Sequence, residues 1–160
     1  MIRALLFACL AWVFFAASPT AGADPSPGAT TDPAANVVTD VCARFGAALH
    51  HAASNYDEFA YATAGRGDVI DYADRNVQRT NVIGRAALRE AAQSALLAAR
   101  TPGLPPEVSD SIKAWSVQAA KLLVVMGLRG GGDYLNATAA QLNADAYAAQ
   151  MACARHGGRA

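Results

Sequence analysis

The sequence predicts an all-α fold, an antiparallel four- to five-helix bundle closed by one disulfide. Three observations lead there. Apolar residues recur at alternating steps of four and three over several long segments, and Gly- and Pro-rich breaks separate those segments. Two cysteines, Cys42 and Cys153, sit near the two ends of the chain that follows an N-terminal export signal.

The export signal comes first in the chain. Behind Arg3, Ala4 to Ala17 is an unbroken apolar run of about 14 residues, signal-peptide length and short of the roughly 20 that span a membrane. Pro19 breaks it, and Ala21-Gly22-Ala23 offers small side chains to a signal peptidase, so residues 1–23 are read as a cleavable signal and the mature chain as starting at Asp24. A secreted or cell-envelope location follows. No later segment approaches ~18 consecutive apolar residues, so no transmembrane helix is expected after signal removal. Residues 24–35, rich in Pro, Ser, Thr, Ala and Gly, are expected as a disordered lead-in, 36–156 as the helical domain and 157–160 as a disordered tail.

Export decides how the cysteines are read, because thiols outside the cytoplasm oxidise. With Cys9 removed in the signal, Cys42 and Cys153 have only each other. The chain-entropy treatment gives such a long closed loop about 4 to 5 kcal/mol.

The first helix is expected from Asn36 or Thr39, with Val38, Cys42, Phe45, Leu49, Ala52, Tyr56 and Phe59 on one seam. Gly65-Arg66-Gly67 ends it, and Asp68 is a candidate cap for a second helix through Ile70, Ala73 and Val77. Thr80-Asn81 and Gly84 predict a kink or break before a stretch from Val82 to Arg100. The turn at 101–106 contains two X-Pro steps that exclude helix, while Pro106 suits the first turn of the next one. That helix has Val108, Ile112, Trp115, Ala119, Leu122 and Met126 on its seam and ends at Arg129 before three glycines. The last starts at Asp133 or Asn136 and carries Leu135, Ala139, Leu142, Ala146, Ala149 and Cys153. If the first and last helices are antiparallel neighbours, the two thiols meet at one end.

Thirteen Lys and Arg balance thirteen Asp and Glu, so a nucleic-acid partner finds no electrostatic support. His50 and His51 are candidate ligand residues, yet a helix puts Asp57 and Glu58 about 10 Å further along the axis, too far to chelate with them. With Tyr56 they remain a weak candidate for the flank of a cleft that takes haem or another flat apolar ligand. Arg75 and Arg79, one turn apart, form a possible anion-binding face, although Asp71 and Asp74 favour a solvated, salt-bridged one. Arg66-Gly67-Asp68 spells an adhesion tripeptide, and a helix break followed by a capping Asp accounts for it equally well. No Gly-x-Ser-x-Gly, His-Glu-x-x-His or P-loop motif is present. The expectation is a non-enzymatic protein without a cofactor or metal, acting by contact with a protein or envelope partner, with an exported carrier of haem or a small apolar ligand as the alternative.

The Ala21-Gly22-Ala23 site followed by Asp24-Pro25, with one early and one late cysteine in an Ala-rich helical domain, resembles small exported proteins of mycobacteria and other actinobacteria. The resemblance covers the layout of the whole chain. A haemophore-like subgroup is similar in being small, helical and disulfide-tied, which would imply haem binding. This chain lacks the His-Pro segment of that subgroup, so no ligand residue carries over.

Overall fold

The computed structural model describes residues 33–65 and 69–160. The predicted export signal, most of the lead-in and Arg66-Gly67-Asp68 lie outside them. The described residues form four helices and no strand: α1 (Pro33–Thr63), α2 (Arg75–Ala98), α3 (Pro106–Gly127) and α4 (Gly132–Arg155). Sequential helices pack antiparallel, and α4 returns to α1 along the most sparsely packed seam of the bundle. None of the helices is long and apolar enough to cross a membrane.

The seams are where the periodicity places them. Val38, Cys42, Phe45, Ala52 and Phe59 of α1 are buried, as are Val108, Ile112, Trp115, Ala119, Leu122 and Met126 of α3. Phe45 meets the Trp115 indole edge-to-face at the centre, with ring centroids 5.2 Å apart. Much of the remaining core is alanine, including Ala87, Ala91, Ala95 and Ala98 of α2. Such short side chains let α1 and α2 approach closely.

Four boundaries differ from those the sequence suggests. Helix α1 begins at Pro33, ahead of Asn36, because a proline suits a first helical turn. The α2 cap is Asp74 instead of Asp68: its carboxylate accepts the Asn76 and Val77 amides at 2.8 and 3.1 Å. No break occurs at 80–84, since α2 runs through it. Thr80 returns its hydroxyl to Asn76 O at 2.8 Å, and Asn81 Nδ2 donates to Met126 O at 3.2 Å, an α3 carbonyl near the helix end. Gly84 is there for space, because a Cβ would lie 3.3 Å from both Asn55 O and Met126 Cε. Finally, α4 starts at Gly132, without a side-chain cap.

The C-terminal residues are not a loose tail. Gly157 takes φ +79°, which lets the Gly158 amide donate back to Cys153 O at 2.8 Å in a Schellman cap. Gly158 then lies so close over the disulfide that a Cβ would sit 2.7 Å from Cys42 Sγ. Ala160 packs against the core, and Gln150 Nε2 donates to its carbonyl at 3.4 Å.

Cys42 and Cys153 are joined, with Cα atoms 5.8 Å apart across 111 residues of sequence. Beside them Glu107, in the first turn of α3, accepts hydrogen bonds from Arg155 Nη2 and, at 3.0 Å, from His156 Nε2 at the end of α4. Each charge suits the helix end it occupies.

Two measurements follow. Replacing both Cys42 and Cys153 by Ala is expected to lower urea-unfolding stability by about 4 kcal/mol, with amide exchange accelerating first along α1 and α4. An unchanged midpoint would show that the seam closes without the crosslink. The hydrogen bond from His156, then that from Arg155, holds the Glu107 carboxyl below its ordinary pKa. A carboxyl depressed by folding stabilises the fold above its unfolded pKa and loses that contribution as pH falls through the folded one. Glu107→Gln is therefore less stable than the parent at neutral pH, and the two urea midpoints converge as pH drops through and below the ordinary carboxylate range.

Candidate functional site

The α2–α3 face carries an apolar opening. Arg89, Ala92, Gln93 and Leu96 of α2 face Ser116, Val117, Ala120, Leu123 and Val124 of α3 across a groove of about 430 Å³. The lining follows from α3, whose apolar residues extend beyond its core seam. Trp115, Leu122 and Met126 go inward, while Val117 and Val124 stay 68% and 53% exposed. Leu97 and Leu128, also exposed, extend the apolar surface to either side.

The charged rim of the groove is mostly cationic. At one end the Arg85 guanidinium lies flat over Gly127, where a Cβ would come within 3.2 Å of Nη2. Arg89 stands one turn on, and Lys121 is exposed beside Val117 and Val124; neither has an ion-pair partner among the described residues. At the other end the 3.6-residue period carries Lys113 onto the same α3 face, where its Nζ pairs with Asp110 Oδ1 at 3.1 Å.

A second, smaller opening lies on the α1–α4 seam. Leu49, Ala52, Ala53, Tyr56 and Asp57 of α1 and Leu142 and Asn143 of α4 surround about 90 Å³, with Leu88 and Trp115 beneath. Trp115 is fully buried, and its Nε1 has no hydrogen-bond partner among the described residues. Burial, then Tyr72 and Asp57, raises the Tyr56 pKa, so the phenol is neutral at ordinary pH and offers no phenolate ligand.

The candidate residues read from the sequence do not converge. His51 is exposed on the α1–α2 side, where Nε2 is 3.3 Å from Glu90 Oε2 beside Arg44 and Ser94. His50 is exposed on α1, whereas Tyr56 turns to the α1–α4 cleft. No single cavity holds the three. Arg75 and Arg79 are exposed in the first turns of α2, and the acids expected beside them serve the backbone instead: Asp71 accepts the Ala73 amide at 2.9 Å and Asp74 caps the helix. No three His, Cys, Asp or Glu side chains come together as a metal site among the described residues.

Sequence reasoning missed the groove, and of the three residues it offered for a cleft only Tyr56 lies at one. The groove had a signal in Val117, Leu123 and Val124, apolar residues off the α3 seam. The other walls of the cleft had no signal, because they depend on how far α4 stands from α1.

A family model, the Rv2240c four-helix bundle domain, matches residues 25–154, which include all but the last residue of α4. No curated protein and no solved structure matches the chain. The four antiparallel helices agree with that description, and the chain belongs to the Rv2240c four-helix bundle domain family.

Proposed function

We propose that this is an exported, non-enzymatic protein that acts in or beyond the cell envelope by docking a partner along the α2–α3 groove. The groove itself carries the reading. Monomeric proteins expose few contiguous apolar patches, and those they do expose are often contact sites. Two parallel ridges with an apolar floor are the shape into which an amphipathic helix lays its apolar face. The lining runs from Arg89 to Leu96 on α2, about 10 Å along the axis, enough for two helical turns of a ligand.

The cationic frame selects among such helices. Arg85, Arg89 and Lys121 favour a partner whose apolar stripe is flanked by Asp and Glu, and repel a basic one. Export is supported by the signal-like residues 1–23. A disulfide at the Cys42–Cys153 distance suits an oxidising compartment.

The test places a photo-crosslinking residue at Val117, or at Tyr147 on α4 as a control, in the cells that make the protein. The expected result is an adduct from Val117 alone, mapping to a segment with apolar residues at helical spacing and acidic neighbours, and lost in Val124→Asp. Equal adducts from both positions, or none from Val117, would sink the docking reading. Arg89→Glu is expected to weaken the captured complex about tenfold, mainly through slower association. Mass spectrometry of exported material checks the other half: an N-terminus at Asp24 is expected, and retention inside the cell with Met1 intact contradicts it.

A further inference from the structure

Cys42 and Cys153 are each 0% exposed, so the bond between them is closed to solvent on every side. Past the end of α4 the cover is a single thickness of chain. His156, Gly157 and Arg159 are exposed, whereas Gly158 between them is buried against Cys42 and Val38. A Cβ on Gly158 would lie 2.7 Å from Cys42 Sγ, 2.9 Å from Cys42 Cβ and 3.1 Å from Val38 Cγ1. Gly158 is not among the positive-φ residues, so what glycine provides there is close approach to the sulfur. Ala160 then reaches α1, where a second glycine makes room for it: a Cβ on Gly46 would lie 3.0 Å from both Ala160 Cα and its carbonyl carbon.

Few bonds hold this segment down. The Gly157 and Gly158 amides donate to Ala154 O and Cys153 O at 3.1 and 2.8 Å, and Gln150 Nε2 donates to Ala160 O at 3.4 Å. Uncovering the sulfurs from any other direction means parting α1 from α4 through the buried residues Val41 and Phe45 of α1 and Ala149 and Ala152 of α4. Local openings that break few bonds and expose little apolar surface cost the least, so the disulfide is reached most cheaply by lifting residues 157–160. Thiol–disulfide exchange requires a thiolate to touch a sulfur, and access therefore sets its rate.

We propose that residues 157–160 are a strap that gates thiol–disulfide exchange at Cys42–Cys153: closed, it denies a thiol access to Cys42 Sγ, and lifted, it admits one while the four helices stay folded. The reductant it controls is a dithiol. One thiolate of the dithiol attacks Cys42 Sγ, the Cys42–Cys153 bond breaks, and its electron pair leaves on Cys153 Sγ. The second thiolate attacks the dithiol sulfur now bonded to Cys42 and releases the Cys42 thiolate. The dithiol ends as a cyclic disulfide, two electrons have passed to the protein, and the two protons of the dithiol finish on the two cysteines. This device does not depend on the docking reading.

The test follows reduction of the folded, oxidised protein by excess dithiothreitol without denaturant, with alkylation at Cys42 and Cys153 read by peptide mapping over time. Gly158→Val drives a side chain against Cys42 and is expected to be reduced at least about tenfold faster than the parent. Gly46→Leu pushes the strap off from the α1 side with a better helix former, so a similar acceleration is expected with helicity retained. Asp74→Ala removes the α2 cap, at the end of the bundle away from the disulfide, and lowers overall stability without touching the strap. Its reduction rate is expected to stay within about twofold of the parent. Acceleration in Asp74→Ala equal to that in the glycine variants overturns the proposal, because reduction then proceeds through unfolding of the whole bundle. A parent-like rate in Gly46→Leu overturns it too, and that variant decides the question if Gly158→Val does not fold.

Discussion

Closing α4 onto α1 is the constraint on which the rest of this bundle depends. The other three seams join helices that follow one another in sequence, so a short connection already brings each pair together. The fourth joins segments separated by nearly the whole domain, and its two surfaces are the most sparsely packed. The Cys42–Cys153 bond supplies that closure at one end, and the surrounding chain concentrates there as well. Gly158 covers the sulfur, the C-terminal carbonyl is held by Gln150, and Glu107 ties α3 to the end of α4. Seven residues along α1 from Cys42, about 10 Å away, Leu49 is already at the wall of the cleft. The opening thus lies where the clamp stops acting.

Small side chains set the second half of the architecture. The alanines of α2 and Gly84 let α1 come close, and close approach leaves a thin core with few large buried residues: Trp115, Phe45 and Phe59 lead them. A thin core cannot accept every apolar side chain the sequence provides. On α3 the excess appears outside, as Val117 and Val124 along the groove. The exposed apolar face is therefore linked to the alanine content of the interior, since both follow from how closely the helices sit.

How much of this the sequence discloses depends on whether a feature is periodic, local or tertiary. The helical seams and the meeting of Cys42 with Cys153 are periodic and topological, and they were readable. Helix ends are local competitions: Asp68 and Asp74 both offer a capping carboxylate, and the Asn76 and Val77 amides are satisfied by the second. Gly84 illustrates the tertiary case. A glycine within a helical pattern reads as a break until a neighbouring helix is known to pass 3.3 Å from where its Cβ would be. Asn81, likewise a turn former by composition, lies inside a helix because Met126 O supplies a partner. His50, His51 and Tyr56 look related because they are close in sequence, yet the helix turns His51 to α2 and Tyr56 to α4.

The two openings differ in stiffness as well as chemistry. The α2–α3 seam is fastened at both ends by bonds with buried partners, Asn81 to Met126 O and Ser109 to Ala99 O, and Arg85 bridges it over Gly127. A groove fixed in this way loses little entropy when a helix settles into it, which favours a macromolecular partner. The α1–α4 seam has its covalent anchor at one end only, and alanines at 146 and 149 give α4 little to interlock with. Such a seam offers no rigid surface to a large partner. The proposed docking along α2–α3 accords with where the fold is tied, independently of the polarity of the groove.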